Sequence, residues 1–298
     1  MKSGFVGIVG RPNVGKSTLL NAILGEKVAI TSDKAQTTRN AIRGIYTRVD
    51  EDQEPVCQFV FIDTPGIHKP KNALGNYMTE TALNTFKEVD VILFLVDSPL
   101  EEGNSGDRFI LEQLKKVDTP KILVINKIDK IEPDVFAKMY HEYEEMNIFT
   151  EIIGTNALEG KNVDVLLDML EKQAEEGPMF FPADMITDHP ERFIVSEIIR
   201  EKMLMYLNEE VPHGVAVEIE QYEETPKITK INAAIYCEKQ SHKGIIIGKQ
   251  GHTLKGIGMA ARTEIEALLG CKVYLELFVK VKEHWRESTI AISNFGYK

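Results

Sequence analysis

"GRPNVGKS", Gly10–Ser17, follows the apolar run "FVGIVG" (5–10) and opens the amphipathic stretch "KSTLLNAIL" (16–24). The pattern is G-x-x-x-x-G-K-[ST] between a strand and a helix, an arrangement that cradles a nucleotide phosphate. Gly10 and Gly15 let the intervening Arg11, Pro12, Asn13 and Val14 wrap, so that successive backbone N–H groups point inward. The helix that follows, with Thr18 in its first turn, adds its positive N-terminal end. Lys16 is placed to bridge the β- and γ-phosphates. The Ser17 hydroxyl suits Mg²⁺, a hard cation that keeps several of its waters.

Working outward, apolar runs recur at 41–49, 57–64, 89–97, 120–127 and 148–155, with helical patterns between them. Several are apolar on both faces, as strands covered by helices on each side are. The alternation predicts an α/β domain over 1–174, with a mostly parallel sheet and helices on both faces. "EEGPMFFPADMITDHPER" (175–192) carries three prolines and a glycine. It predicts a linker over 175–190. From 191 to 298 the order changes to helix, two strands, two short helices and a strand, which predicts a separate α+β domain.

In an open parallel sheet, ligands collect beyond the carboxyl ends of the strands. "NKID" (126–129) ends one such strand. Asp129 there can accept from both the ring N–H and the exocyclic amine of guanine. Adenine presents the opposite pattern and leaves a carboxylate unpaired, at about 1–3 kcal/mol per lost bond. Asn126, Lys127 and Asp129 are therefore candidate base-binding residues, with Lys127 along the base plane. "DTPG" (63–66) ends another strand. Asp63 is expected to hold Mg²⁺ through water and the Gly66 N–H to sense the γ-phosphate, and Thr64, Pro65 and Ile67 of the same loop are further expected nucleotide contacts. Thr37 and Thr38 lie between these motifs. One is expected to reach Mg²⁺ and the γ-phosphate in the GTP state only, and Thr38 is preferred. The expected metal ligands are Ser17, Thr38 and Asp63.

The chain has 298 residues and a net charge of −11, which argues against a general nucleic-acid coat. The charge is uneven. Residues 185–298 hold 15 basic and 16 acidic residues, and the remaining 20 and 30 lie before them. From Lys239 to Thr263 there is no acid at all. This stretch contains "GIIIGKQGHTLKG", a second glycine turn, at Gly248–Gly251. No apolar run reaches the ~18–20 residues that span a bilayer, and the N-terminus does not read as a signal peptide. Cys57, Cys237 and Cys271 form no C-x-x-C pair. They read as buried thiols in a reducing compartment, and the expected address is the cytosol.

The first domain resembles a Ras-like, translation-factor-class GTPase. The resemblance implies a further base loop at Asn156, Ala157 and Leu158, where Asn156 replaces the usual serine and only a backbone N–H carries over. It also exposes a departure. The residue after Asp-x-x-Gly is Ile67, where many such proteins have a glutamine that orients the attacking water. A low intrinsic hydrolysis rate follows. In related GTPases an asparagine at the place of Asn13 helps to hold K⁺, so K⁺ is a candidate activating ion. The expected catalytic set is Lys16, Thr38, Gly66 and Asn13.

The second turn resembles the G-x-x-G loop of a type II KH domain, which clamps about four unpaired nucleotides. Gly248, Lys249, Gln250 and Gly251 would form the clamp. Ile246 and Ile247 would pack beneath the bases, and Lys243, Lys255 and Arg262 would flank the groove. A GTPase followed by a type II KH domain is similar to the Era family, and "GRPNVGKSTLLNAILG", "QTTRN", "DTPGIHKP", "NKID" and "SHKGIIIGKQGHTLKGIG" carry that resemblance in order. It implies binding to the 3′ end of 16S ribosomal RNA and a part in maturation of the 30S subunit. The two phosphate-binding turns together predict a GTP/GDP switch whose RNA affinity follows the nucleotide, and a monomer is expected.

Two rivals differ in class. The basic stretch permits peripheral contact with the inner face of the membrane, which makes a membrane-associated signalling GTPase with a lipid- or protein-binding C-terminal domain the alternative. A phosphate-loop ATPase or kinase acting on RNA ends is disfavoured by Asn126–Asp129. Trp285 and His68 are read as an edge-packing residue and a solvated loop residue.

Overall fold

The computed structural model describes residues 1–67, 70, 72–100 and 105–297. His68 lies outside the described residues. The described chain divides into two compact units, one built mainly from residues before Asp188 and one from His189 onward together with Ser32–Thr37.

In the first unit, β1 (Lys2–Gly10), β2 (Ile42–Val49), β3 (Pro55–Asp63), β4 (Val91–Val96), β5 (Lys121–Ile125) and β6 (Glu151–Gly154) form one sheet in the order β2-β3-β1-β4-β5-β6. Every pairing is parallel except β2 with β3. The helices are α1 (Lys16–Leu24), α2 (Ala73–Thr85), α3 (Ser105–Leu114), α4 (Pro133–Glu144) and α5 (Val163–Gln173). β4 reads VILFLV and is buried at every position. Its alternate residues Ile92, Phe94 and Val96 meet Ala82 and Phe86 near α2, Ile110 and Leu114 of α3, and Met139 and Tyr143 of α4. The other face is covered by α1, which packs on β1, β2, β3 and α5. Two-sided burial is why these strands carry no alternating polar positions.

Residues 175–188, expected as linker, are ordered against β2 and β3. The Phe180 and Phe181 N–H groups donate to Gln58 Oε1 at 2.7 and 3.0 Å, and Gln58 Nε2 donates to the Phe181 carbonyl. Ile45 N–H donates to Ile186 O, and Arg43 pairs with Asp188 at 2.8 Å. The prolines stop helix formation but leave N–H groups that a neighbouring strand can pair.

The second unit holds α6 (Glu191–Tyr206), β7 (Ala216–Glu224), β8 (Ile228–Cys237), α7 (Gln240–Ile247), α8 (His252–Leu269), β9 (Lys272–Val281) and α9 (Thr289–Asn294). Its sheet runs β7-β8-β9, antiparallel then parallel. α7 and α8 therefore form the crossover that a parallel β8–β9 pair requires. Val195, Ile199 and Met203 of α6 and Ile257, Ala261 and Ile265 of α8 meet Ile231, Ala233 and Ile235 of β8 in its core. Met205, two positions after the buried Met203 and so about 200° round the helix, is exposed. The second of the two "short" helices has 18 residues and ends at Gly270 in the left-handed conformation, the usual C-terminal stop. The terminal α9 was not expected. It closes on Trp285, which is fully buried, donates Nε1–H to Gly214 O at 2.9 Å and packs against Phe295 and Tyr297. Cys57 and Cys237 are buried. Cys271, expected to be so, is half-buried beside the Thr229 hydroxyl.

Candidate functional site

The sheet order puts the ends of β1, β3, β4, β5 and β6 side by side, and the sequence motifs follow those ends. The phosphate-loop glycines are required by close approach. Gly15 has φ +102°, and a Cβ there would lie 2.3 Å from Asn126 Nδ2. A Cβ on Gly66 would lie 2.7–2.8 Å from Pro12 atoms, so the Asp63–Gly66 loop packs directly on the phosphate loop. Lys16 is buried, and its Nζ donates to Arg11 O at 2.8 Å and Gly10 O at 3.1 Å. Burial lowers its pKa to about 8, partly offset by Asp63.

The three expected metal ligands converge. Ser17 Oγ donates to Asp63 Oδ2 at 2.6 Å and sits 2.9 Å from Thr38 Oγ1, which lies 3.4 Å from the same carboxylate oxygen. Asp63 is fully buried, and burial raises its pKa to about 6 against the pull of Lys16, Ser17 and Thr38. Its Oδ1 is buried with no hydrogen-bond partner among the described residues. Two hydroxyls and a buried carboxylate with an orphaned oxygen are the donor chemistry that suits Mg²⁺. Thr37 is turned elsewhere: its hydroxyl donates to Lys34 O at 2.6 Å. Thr64, included among the nucleotide contacts, donates its hydroxyl to Ile8 O at 2.8 Å and fastens the loop to β1. Ile67 is fully buried in the core with Ile110 and Leu111. Its side chain faces the hydrophobic core, and what it brings to the phosphate loop is its backbone N–H, which donates to Gly10 O at 3.3 Å.

The base loop is braced from two directions. Asn126 Nδ2 donates to Val14 O at 2.9 Å, and its Oδ1 accepts from Thr155 Oγ1 and the Ala157 N–H at 3.0 and 3.1 Å. Phosphate loop, Asn126–Asp129 and Asn156–Leu158 are thereby one hydrogen-bonded body. Asn156 is buried and its N–H and carbonyl turn the loop back on Lys161 and Glu159. Leu158 is 82% exposed at the tip, and Asp129 is exposed at the rim. Asn13 is exposed with φ +66°, and its carbonyl accepts from Lys127 Nζ at 2.5 Å.

In the second unit the Gly248–Gly251 turn joins α7 to α8, with Lys249 and Gln250 exposed at its tip. A groove of about 360 Å³ runs from this turn between α8 and β9. Gly251, Leu254, Lys255, Gly258, Met259 and Arg262 line one wall, and Leu275, Glu276 and Leu277 the other. Lys255 and Arg262 were expected. The apolar lining was missed, although its spacing along α8 (i, i+3, i+4, i+7, i+8, i+11) is a single helix face legible in the sequence. Lys243 is half-buried on α7. Ile246 is a correction: it is fully buried in the core, so no base can reach it. α7 turns Ile245 outward instead, 51% exposed, and packs Ile247 partly against the core.

A family model described as "50S ribosome-binding GTPase" matches residues 5–127, and one described as "KH domain" matches 210–286. The chain is 58% identical to the GTPase Era of Alkaliphilus oremlandii, over 99% of this chain and 99% of that protein. The chain belongs to the Era family of GTPases. The Era GTPase of Clostridioides difficile is 56% identical over 99% of this chain and 98% of its own length. Among solved structures, an Aquifex aeolicus Era variant bound to GDP and aluminium fluoride superposes with a TM-score of 0.94, at 42% identity, covering 100% of this chain and 99% of that one. An Era complex with MgGDPNP and nucleotides 1506–1542 of 16S ribosomal RNA gives a TM-score of 0.93 at 42% identity, with the same coverage. Like other members of the Era family, the chain is a GTPase with a C-terminal KH domain. No described helix is long and apolar enough to cross a membrane.

Proposed function

We propose that this GTPase is a GTP-driven switch that binds single-stranded RNA at the 3′ end of 16S ribosomal RNA and acts in maturation of the 30S subunit. The observation that carries the reading is the full-length likeness to an Era structure holding MgGDPNP and that RNA segment, at a TM-score of 0.93. The phosphate loop at Gly10–Ser17 and the groove beside Gly248–Gly251 supply the two sites such a protein needs.

The Gly10–Ser17 backbone would receive the phosphates, and Lys16 would exchange its two carbonyl partners for β- and γ-phosphate oxygens. Asp129 would select guanine, within a loop that Asn126 and Lys127 hold in place. Ser17 and Thr38 would hold Mg²⁺, with Asp63 behind them through water, and the ion would neutralise phosphate charge. Thr38 and the Gly66 N–H meet the γ-phosphate, so hydrolysis releases both segments. Ile67 orients no water, and the slow intrinsic rate this implies leaves room for K⁺ held near Asn13. In the KH unit, Gly248–Gly251 would clamp the sugar-phosphate chain. The apolar groove would take bases, while Lys243, Lys249, Lys255 and Arg262 attract phosphates.

Fluorescence anisotropy with a labelled single-stranded 16S 3′-end RNA tests the proposal. Affinity is expected to fall steeply with salt and to be higher with a GTP analogue than with GDP. By reciprocity, RNA then shifts nucleotide affinity by the same factor. Lys16→Ala should lose nucleotide. Equal affinity for the 3′-end RNA and an unrelated single strand would refute the RNA assignment.

A further inference from the structure

A charged strut centred on Asp97, a residue outside the nucleotide-binding motifs, joins the phosphate loop to the base loop. Asp97 follows β4, and its two carboxylate oxygens each take a different cation. Oδ1 accepts from Arg11 Nη2 at 3.0 Å and Oδ2 from Lys127 Nζ at 2.7 Å. Arg11 is anchored again by Nε, which donates to Asp107 Oδ2 at 2.7 Å. Asp107 lies in the first turn of α3 and is fully buried. Its neighbour Gly106 makes room for the arm: a Cβ there would lie 2.9 Å from both Cγ and Cδ of Arg11.

Two cations sharing one carboxylate hold each other in register. Neither can swing away without leaving a partly buried charge short of a partner, which is costly. The Arg11 side chain is thus committed to two carboxylates and to the Ser98 hydroxyl, which accepts from Nη2 at 2.9 Å, rather than offered to phosphate. Lys127 Nζ, through its second bond to Asn13 O, fixes the loop on the other side.

We propose that Asp97 is a positioning residue that sets the spacing between phosphate loop and base loop, with Asp107 and Gly106 of α3 holding the Arg11 arm. The proposal rests on the reading that Gly10–Ser17 takes the phosphates and Asn126–Asp129 the base. GTP and GDP both span the two loops. Losing the strut therefore weakens both by one factor, which is a loss of uniform binding rather than of transition-state stabilisation.

The test is nucleotide affinity by fluorescent GDP and a fluorescent GTP analogue, with steady-state kinetics alongside. Asp97→Asn keeps the shape and removes the charge. It should weaken both nucleotides alike, by about tenfold or more, raising KM while kcat moves by less than about threefold. In a double-mutant cycle, Arg11→Gln with Asp97→Asn should lose less than the two single losses combined. Gly106→Ala separates position from stability. Alanine favours the helix over glycine, so the unfolding midpoint should hold or rise while affinity falls several-fold. Wild-type affinity in Asp97→Asn, a loss confined to GTP, an additive cycle, or an unaffected Gly106→Ala would each overturn the proposal. A wild-type protein that binds no guanine nucleotide would instead overturn the reading of the two loops.

Discussion

The two glycines of the Gly248–Gly251 turn should not be equivalent. Gly248 has φ +73° and ψ 174°, a backbone region essentially closed to other residues. A Cβ there would lie 2.2 Å from Thr253 Oγ1, 2.8 Å from Thr253 Cβ and 3.0 Å from Thr253 N. Rotating Thr253 relieves only the first contact. Backbone strain of about 1–3 kcal/mol and an off-rotamer threonine at about 1 kcal/mol sum to roughly 3 kcal/mol. Gly251 has φ +77° and ψ 10°, and nothing lies within 4 Å of its Cβ position. Alanine there costs only the left-handed conformation, about 1–2 kcal/mol, and its methyl group points into open space beside the groove. Denaturant unfolding followed by tryptophan fluorescence reads this unit, because Trp285 is the sole tryptophan and is fully buried in it. Gly248→Ala should be the more destabilising by about 1–2 kcal/mol, and Gly251→Ala should lower RNA affinity about tenfold with the unit intact. Guanine nucleotide affinity should be unchanged in both. Equal unfolding free energies for the two variants would refute the reasoning, because the difference rests only on Thr253 and the backbone angles.

Thr38→Ala should weaken a GTP analogue about tenfold relative to GDP, while Thr37→Ala, whose hydroxyl only returns to Lys34 O, should leave that ratio within about twofold; nucleotide titration in Mg²⁺ distinguishes them. Turnover should rise when Na⁺ is replaced by K⁺ at constant ionic strength, and Asn13→Ala should abolish the rise; identical rates in the two salts would remove the K⁺ assignment. Ile67→Gln should not restore fast hydrolysis, because the side chain enters the core. It should cost about 1–3 kcal/mol as a buried amide lacking partners, read by single-turnover hydrolysis and thermal unfolding.

Legibility in the sequence followed the distance over which each residue acts. The phosphate loop and the Gly248–Gly251 turn are local: glycine, lysine and hydroxyl do their work within a few positions, and short patterns capture them. Thr37 and Thr38 defeat that logic because they are chemically identical neighbours. Only the approach of Thr38 to Ser17 and Asp63, 21 and 25 positions away, separates them. Arg11 looked like one more member of its loop, yet its partners lie 86, 87 and 96 positions along the chain. Gln58 is the same case within the sheet. It reads as a flaw in an apolar strand, yet it is fully buried because the returning Phe180–Phe181 backbone needs an acceptor there. Ile246 shows the converse failure. Three consecutive isoleucines carry no periodicity, so pattern alone could not say which one enters the core, and the α7 rotation chose Ile246. Where a polar residue interrupts an apolar run, or identical residues stand side by side, the sequence locates the element but leaves its partner to the fold. At such positions a substitution should be felt through a residue far away in the chain.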